Sequence, residues 1–389
     1  MTRMSDLPGD LVEEILSRVP LTSLSVARYT CKTWNTLSRN QIFDKTRKQY
    51  LGFMVMDSSI CSMKFDLQGL GNDMDSVDPS IKRVRILNQV EVFKVFHCDG
   101  LLLCVIKDNR WRVVWNPYLG ETRWIQPINK YHRFQRSDMF AFGYNTNNNN
   151  NRNHKILRFL DAFEYSDLPL FFEIYDFNSD SWRILDVNPD CDIKSGVSLK
   201  GNTYFLAREK RKEPSNPNVE VFLLCFDFTE ERFGARLPLP LHSCIATLSC
   251  VRDEHLAALY QRYDSVMEIW ITTKIEPNAV SWSHFLRVKL NTIPDSFYIG
   301  SFFIDKEKKV AVVFDSRGSE WTDTYCCQTA YIIGEGGYLK SVKFGEFAPD
   351  LWTPKIKFRH FNPLLFCSYA PSLVPLRINQ QGKRKERDY

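Results

Sequence analysis

From Leu51 onward the sequence repeats one pattern, and that repetition constrains the fold more than any other feature of the chain. Short apolar and aromatic runs alternate with polar turn residues, as strands do. Each unit carries a β-rich run, an aromatic or acidic pivot, a polar turn and often a Trp or Phe. The clearest are VVWNPYLGETRW, EIYDFNSDSW, LCFDFTEERF and EIWITTKIEPNAVSW. The pivots Trp115, Asp176, Asp227, Trp270 and, more weakly, Phe314 lie 61, 51, 43 and 44 residues apart. The longest gap holds NTNNNNNRN, which reads as a loop insertion. Several units open with a strand of their own: DGLLLCVI, KGNTYFLA, EHLAALYQ and KVAVVFD. A few strands recurring at roughly 45–50 residues is the pattern of propeller blades. By that period residues 51–376 hold about six or seven blades. LGFMVM at the start and LLFCSY near the end are expected to share a blade and close the ring. An irregular pair of β-sandwiches stays open as the alternative, because there is no kelch double-glycine signature and the reading rests on periodicity and strand content.

The first fifty residues follow a different period. After Leu7-Pro8 comes DLVEEILSRVP, in which Leu11, Ile15 and Val19 recur every four residues and Val12 and Leu16 widen the apolar face. Pro8 suits the first turn, and Asp10, Glu13 and Glu14 suit the positive end of a helix. Pro20 stops this helix. Thr22 or Ser23 is placed to cap a second one, on which Leu24, Ala27, Cys31 and Trp34 keep a helical spacing. Ile42 and Phe43 add one more apolar patch. Three small helices cannot bury this much Leu, Ile and Trp by themselves, so a partner is expected to complete the face. The plainer account is a helical cap packed on the β domain.

LPGDLVEEILSRVP, TSL and TCKTWN resemble the F-box, the motif that docks substrate receptors onto a Skp-type adaptor of cullin-RING ubiquitin ligases. The similarity covers roughly residues 4–47. It implies that Leu7, Pro8, Leu11, Ile15, Leu16, Val19, Pro20, Leu24, Cys31 and Trp34 form the adaptor face and its supporting core. Ser25, Val26 and Ala27 stand where relatives carry bulkier or charged residues, a departure that lowers the expected adaptor affinity. VFHCDGLLLCV, VVWNPYLGETRWI, FEIYDFNSDSWRILDV, GVSLKGNTYFLA, FLLCFDFTEERFGARLPLP, MEIWITTKIEPNAVSWSHFLRV and GSFFIDKEKKVAVVFD are similar to the plant F-box-associated domain of type 1, over roughly 93–320. The resemblance implies a non-catalytic receptor subunit that recruits a protein substrate for ubiquitination.

No residue pattern competes with that reading through chemistry of its own. The chain has no G-x-S-x-G, G-x-G-x-x-G, P-loop or H-E-x-x-H. GEGG at 334–337 lacks the Lys-Ser/Thr that a phosphate cradle needs and reads as a turn. His242, Cys244, Cys250 and His255 lack paired metal-ligand spacing, so no metal or other cofactor is expected. Asp176 and Asp227 could be imagined as the carboxylate pair of a glycan-cleaving propeller enzyme. Their recurrence at equivalent places argues for turn hydrogen bonding instead. Arg208, Lys210, Arg211 and Lys212 in REKRKEPSNPN form a basic loop, either a solvated surface or a site for an acidic or phosphorylated substrate segment. KRKER at 383–387 reads as a nuclear localisation patch or a plain terminus.

A net charge of +5 over 389 residues is too mild and balanced to call for nucleic acid. No apolar run approaches the roughly 18 residues of a membrane span. The eleven cysteines form no C-x-x-C pair, several sit inside apolar runs such as LLLCVI, and there is no N-x-[ST] sequon. Together these point to a reducing compartment, cytoplasm or nucleus or both. The expected organisation is α+β: a three-helix F-box over 1–48, a mostly β domain over 49–376 and a basic disordered tail over 377–389. A non-ligase interaction scaffold with a degenerate F-box is the competing functional class.

Overall fold

The computed structural model describes residues 7–19, 21–38, 51–56, 58–64, 80–84, 90–106, 111–126, 138–146, 151–160, 171–210, 220–241, 246–262, 266–289, 299–315, 326–347 and 367–376. Pro20, Ile42, Phe43, Arg211, Lys212, His242, Cys244 and the KRKER tail lie outside them.

Among the described residues the β strands form six antiparallel sheets of four, so the ring has six blades and not seven. Blade two runs from its first strand Val92–Cys98 through Leu101–Ile106 and Arg112–Asn116 to Glu121–Ile125. Blade three is Asp138–Thr146, Arg152–Leu160, Phe172–Asp176 and Ser181–Leu185. Blade four is Cys191–Leu199, Asn202–Glu209, Val221–Asp227 and Arg232–Leu237, and blade five is Ala246–Val251, His255–Gln261, Val266–Glu276 and Ala279–Lys289. Blade six is Ile299–Asp305, Val310–Asp315, Cys326–Gly334 and Leu339–Phe347. First strands touch first strands of other blades, which places them at the centre of the ring.

Blade one is built from both ends of the domain. Its inner strand is Cys367–Tyr369, followed outward by Leu51–Met56, Ser59–Lys64 and Ser80–Arg83. Leu51 pairs with Tyr369 and Phe53 with Cys367, the closure expected from LGFMVM and LLFCSY. Aromatic rings lock this seam: Phe53 stands edge-on to Tyr369 at 4.9 Å and to Trp115 of blade two at 5.4 Å.

Each pair of neighbouring blades shares its own hydrophobic cluster, so six seams carry the core. Alternate residues of one strand feed opposite seams. Phe53 packs toward blade two while Met54 packs toward blade six. A strand buried on both faces reads as a continuous apolar run, which is why LLLCVI and VAVVFD are buried at every position. Cys104 and Cys225 are buried in such runs, and burial pushes the Cys225 thiol up to about 12.

The seam between blades two and three also carries charge. Arg158 donates to Asp138 at 2.9 Å and to Glu173 at 2.9 Å, and Arg112 lies 3.5 Å from Asp138. Nearer the turns, Arg123 reaches Asp180 at 2.7 Å, the Tyr175 hydroxyl at 3.0 Å and the Phe177 carbonyl at 3.0 Å. The Tyr175 hydroxyl and Arg123 together hold the Asp180 carboxyl below its usual range.

Four of the five pivots, Trp115, Asp176, Asp227 and Trp270, lie on third strands. Phe314 is on the second strand of blade six, one strand earlier than the period implied. The aspartates act as turn acceptors. Asp176 Oδ1 takes the amides of Asn178 and Ser179, and Asp227 Oδ1 takes those of Thr229 and Glu230.

The N-terminal segment forms α1 (Gly9–Arg18), α2 (Leu21–Arg28) and α3 (Lys32–Leu37). Two expectations are corrected here. The second helix begins at Leu21, ahead of the expected caps Thr22 and Ser23. It also stops at Arg28, so Cys31 and Trp34 belong to a separate helix for which Cys31 is the N-cap. At the break the Thr30 hydroxyl bonds back to the Ala27 carbonyl at 2.7 Å, which competes with helix continuation.

Candidate docking site

α1 carries two adjacent apolar stripes with different fates. Val12 and Leu16, four residues apart, are buried at 1% and 0% exposure. Leu11 and Ile15, the neighbouring pair, remain 50% and 41% exposed. On α2, Leu24 is buried, whereas Val26 is exposed and Tyr29 closes the helix with its ring in solvent. α3 contributes Trp34, which is buried.

The inner stripe does not pack on helices alone. Val12, Leu16, Leu24 and Trp34 form one cluster with Tyr118 and Leu119, and Leu7, Val19, Ala27, Cys31 and Leu37 pack around it. Tyr118 and Leu119 come from the turn between the third and fourth strands of blade two, within WNPYLGE. The β domain therefore completes the inner face, as a helical cap would, and leaves the outer stripe uncovered. Of the residues expected at the adaptor face and its core, Pro8, Leu11 and Ile15 are exposed, while Leu16, Leu24 and Trp34 are buried together in one cluster. Leu7, Val19 and Cys31 are partly buried at its margin.

Polar contacts fix the same junction. Arg28, 8% exposed, places its guanidinium 4.2 Å over the Tyr118 ring. It donates through Nε to Ser38 Oγ at 2.8 Å and through Nη1 to the Tyr118 carbonyl. The Tyr118 hydroxyl donates to the Ser38 carbonyl. Sequence reasoning did not single out Arg28, Ser38, Tyr118 or Leu119. The available signal was two adjacent apolar residues inside a Pro-Gly turn, where polar residues are the rule.

This junction defines the two sides of the ring. We call the side bearing the Tyr118 turn the near face. In blades two to six the connections on it, first to second strand and third to fourth, are two to five residues long. The connections that leave from the opposite side, the far face, run from four to nineteen residues. Of the basic segment, the described Arg208 and Lys210 lie on that far side, at the end of the second strand of blade four. Arg208 is paired with Asp192 at 3.1 Å and Lys210 with Asp190 at 3.5 Å.

Among the described residues no group of His, Cys, Asp and Glu side chains is placed to hold a metal ion. Cys250 points its sulfur at Asp253, 3.6 Å away, and His255 Nδ1 lies 2.8 Å from the Thr272 carbonyl. No described helix is long and apolar enough to cross a membrane.

Comparison with known proteins matches both parts. The F-box domain family matches residues 4–46, and the family described as F-box associated beta propeller domain matches residues 51–376. An F-box protein of Arabidopsis thaliana is 63% identical over 390 residues, covering 97% of this chain and all of that protein. An F-box/kelch-repeat protein of the same plant is 54% identical over 404 residues, covering 99% of this chain and all of its own length.

Proposed function

Because the chain belongs to the F-box proteins that carry an F-box associated beta propeller, we propose that it is the substrate-recognition subunit of a Skp–cullin–F-box ubiquitin ligase. The observation that carries this reading is the outer stripe of α1. Leu11 and Ile15 stay exposed although the neighbouring stripe of the same helix, Val12 and Leu16, has found its packing partner in the propeller. An apolar helix face of this kind suits a groove in an adaptor, with a few buried anchors dominating affinity.

In this proposal residues 1–48 dock the adaptor, residues 49–376 bind the target protein, and 377–389 form a basic tail. The far face is the side for the target, because the near face carries the docking module and short turns. Longer connections there give the surface on which recognition is varied. The contribution to ubiquitin transfer is a raised effective concentration, with no bond made or broken by this chain. Such a subunit works in the cytoplasm or nucleus.

The test is reconstitution of the full chain with a plant Skp-type adaptor and a cullin. The expected result is one co-eluting complex of all three. If the intact, folded chain fails to bind the adaptor, the receptor reading falls and a scaffold acting through the propeller alone takes its place.

A further inference from the structure

Both ends of the described chain are fastened to one turn. The inner strand of blade one ends at Tyr369, and the following residues, Ala370 to Leu376, cross the near face to blade two. Asn116, fully buried at the end of a third strand, holds this strap with its amide. Its Nδ2 donates to the Ser372 carbonyl at 3.1 Å and the Val374 carbonyl at 2.8 Å. Its Oδ1 accepts from the amides of Tyr118 and Leu119 at 2.9 and 3.0 Å. Glu121 then takes the Leu376 amide at 2.9 Å, and Leu376 is buried in the seam between blades two and three. Gly100 makes room for the crossing: its φ is +69°, and a Cβ there would stand 2.4 Å from Ser372 Cβ.

The comparison with the other blades explains the choice of residue. Asp176 and Asp227 occupy the position of Asn116 in blades three and four and accept the same two turn amides. An aspartate suffices there. In blade two the second atom of the side chain faces two carbonyls, which only an amide N–H can satisfy. Asn116 thus sets the turn from below, by the strap, while Arg28 and Ser38 grip Tyr118 of that turn from above.

Covalent connection alone does not fix where the helices sit. Twelve residues separate Ser38 from Leu51, and a stretch of that length can reach about 40 Å. We infer that the Asn116–Leu119 turn, clamped by Arg28 and by the C-terminal strap, is a joint that holds the docking module in one orientation on the near face. Arg28, Tyr118 and Asn116 are on this account positioning residues for delivery of a substrate. The inference rests on the receptor reading for its purpose, though the joint itself stands on geometry.

The experiment measures orientation directly. Spin labels are attached through a non-natural amino acid at Glu14 of α1 and Lys274 of blade five, both exposed, in the full chain bound to a Skp-type adaptor. The intact protein is expected to give one narrow distance distribution. Tyr118→Ala is expected to at least double its width while strand content stays as it was. Arg28→Lys, which keeps the charge but loses the forked grip and ring stacking, is the milder variant should Tyr118→Ala unfold the module, and is expected to broaden the distribution to a lesser degree. A broad distribution in the intact protein overturns the joint, and so does a folded Tyr118→Ala or Arg28→Lys variant as narrow as the intact chain. If the adaptor does not bind, the receptor reading fails on its own, and the distances measured without it still decide the joint.

Discussion

Leu11 and Leu16 make a matched pair for testing the division between docking face and supporting core. Both are leucines on α1, but one is 50% exposed and the other 0%. Full burial of such a side chain is worth about 1.5–3 kcal/mol, so the exposed half of Leu11 leaves about 1 kcal/mol for an adaptor to gain. Leu11→Ala should therefore weaken adaptor binding about five-fold. Leu11→Asp also forces an unpaired carboxylate into an apolar contact, which adds at least about 2 kcal/mol and brings the loss above about 100-fold. Neither change touches the inner cluster, so stability should fall by no more than about 1.5 kcal/mol, the share carried by the half of Leu11 that is already buried. Leu16→Asp puts the same carboxylate among Val12, Leu24, Trp34 and Tyr118 and should melt the helical module while leaving the blades intact. Calorimetric titration with the adaptor gives the affinities, and circular dichroism melts give the stabilities. The reasoning is refuted if Leu11→Asp binds within three-fold of the intact chain, or if it destabilises the module as much as Leu16→Asp.

Two further outcomes follow from the ring. Tyr369→Ala removes a buried ring from the closing seam and should lower stability by about 3–5 kcal/mol, read from the denaturant midpoint; a shift below about 1 kcal/mol would mean that the seam is not held by this contact. Asp180 has its folded pKa below the ordinary value of 3.8, so the unfolded chain takes up the proton first. Its contribution is complete above that value and is lost as pH falls through the lower, folded pKa. Asp180→Asn should accordingly flatten the acid limb of stability below about pH 4, and an unchanged acid limb would count against the Arg123–Asp180 contact.

What could be read from the sequence was whatever leaves a local mark. The pairing of the first strand with Cys367–Tyr369 was legible because one unpaired strand at each end of a repeat array has few other places to go. Asp176 and Asp227 were legible as turn acceptors because the same residue type recurred in the same setting. The break between α2 and α3 was hidden because Leu24 and Trp34 serve one cluster, and spacing records burial, not continuity. Phe314 fell one strand out of place since strands buried on both faces look alike, whatever their order in a blade. The Arg28–Tyr118 contact spans 90 residues, and nothing local to either residue names the other.

Closure of blade one by the far end of the chain sets a schedule for biosynthesis. Leu51–Met56 leaves the ribosome early, yet its inner neighbour Cys367–Tyr369 follows roughly 300 residues later. At about 5–20 residues per second the strand waits about 15–60 s with one edge unpaired. An open edge of that kind invites pairing with other chains. Chains cut ahead of Cys367, by a premature stop or by proteolysis, would keep that edge permanently.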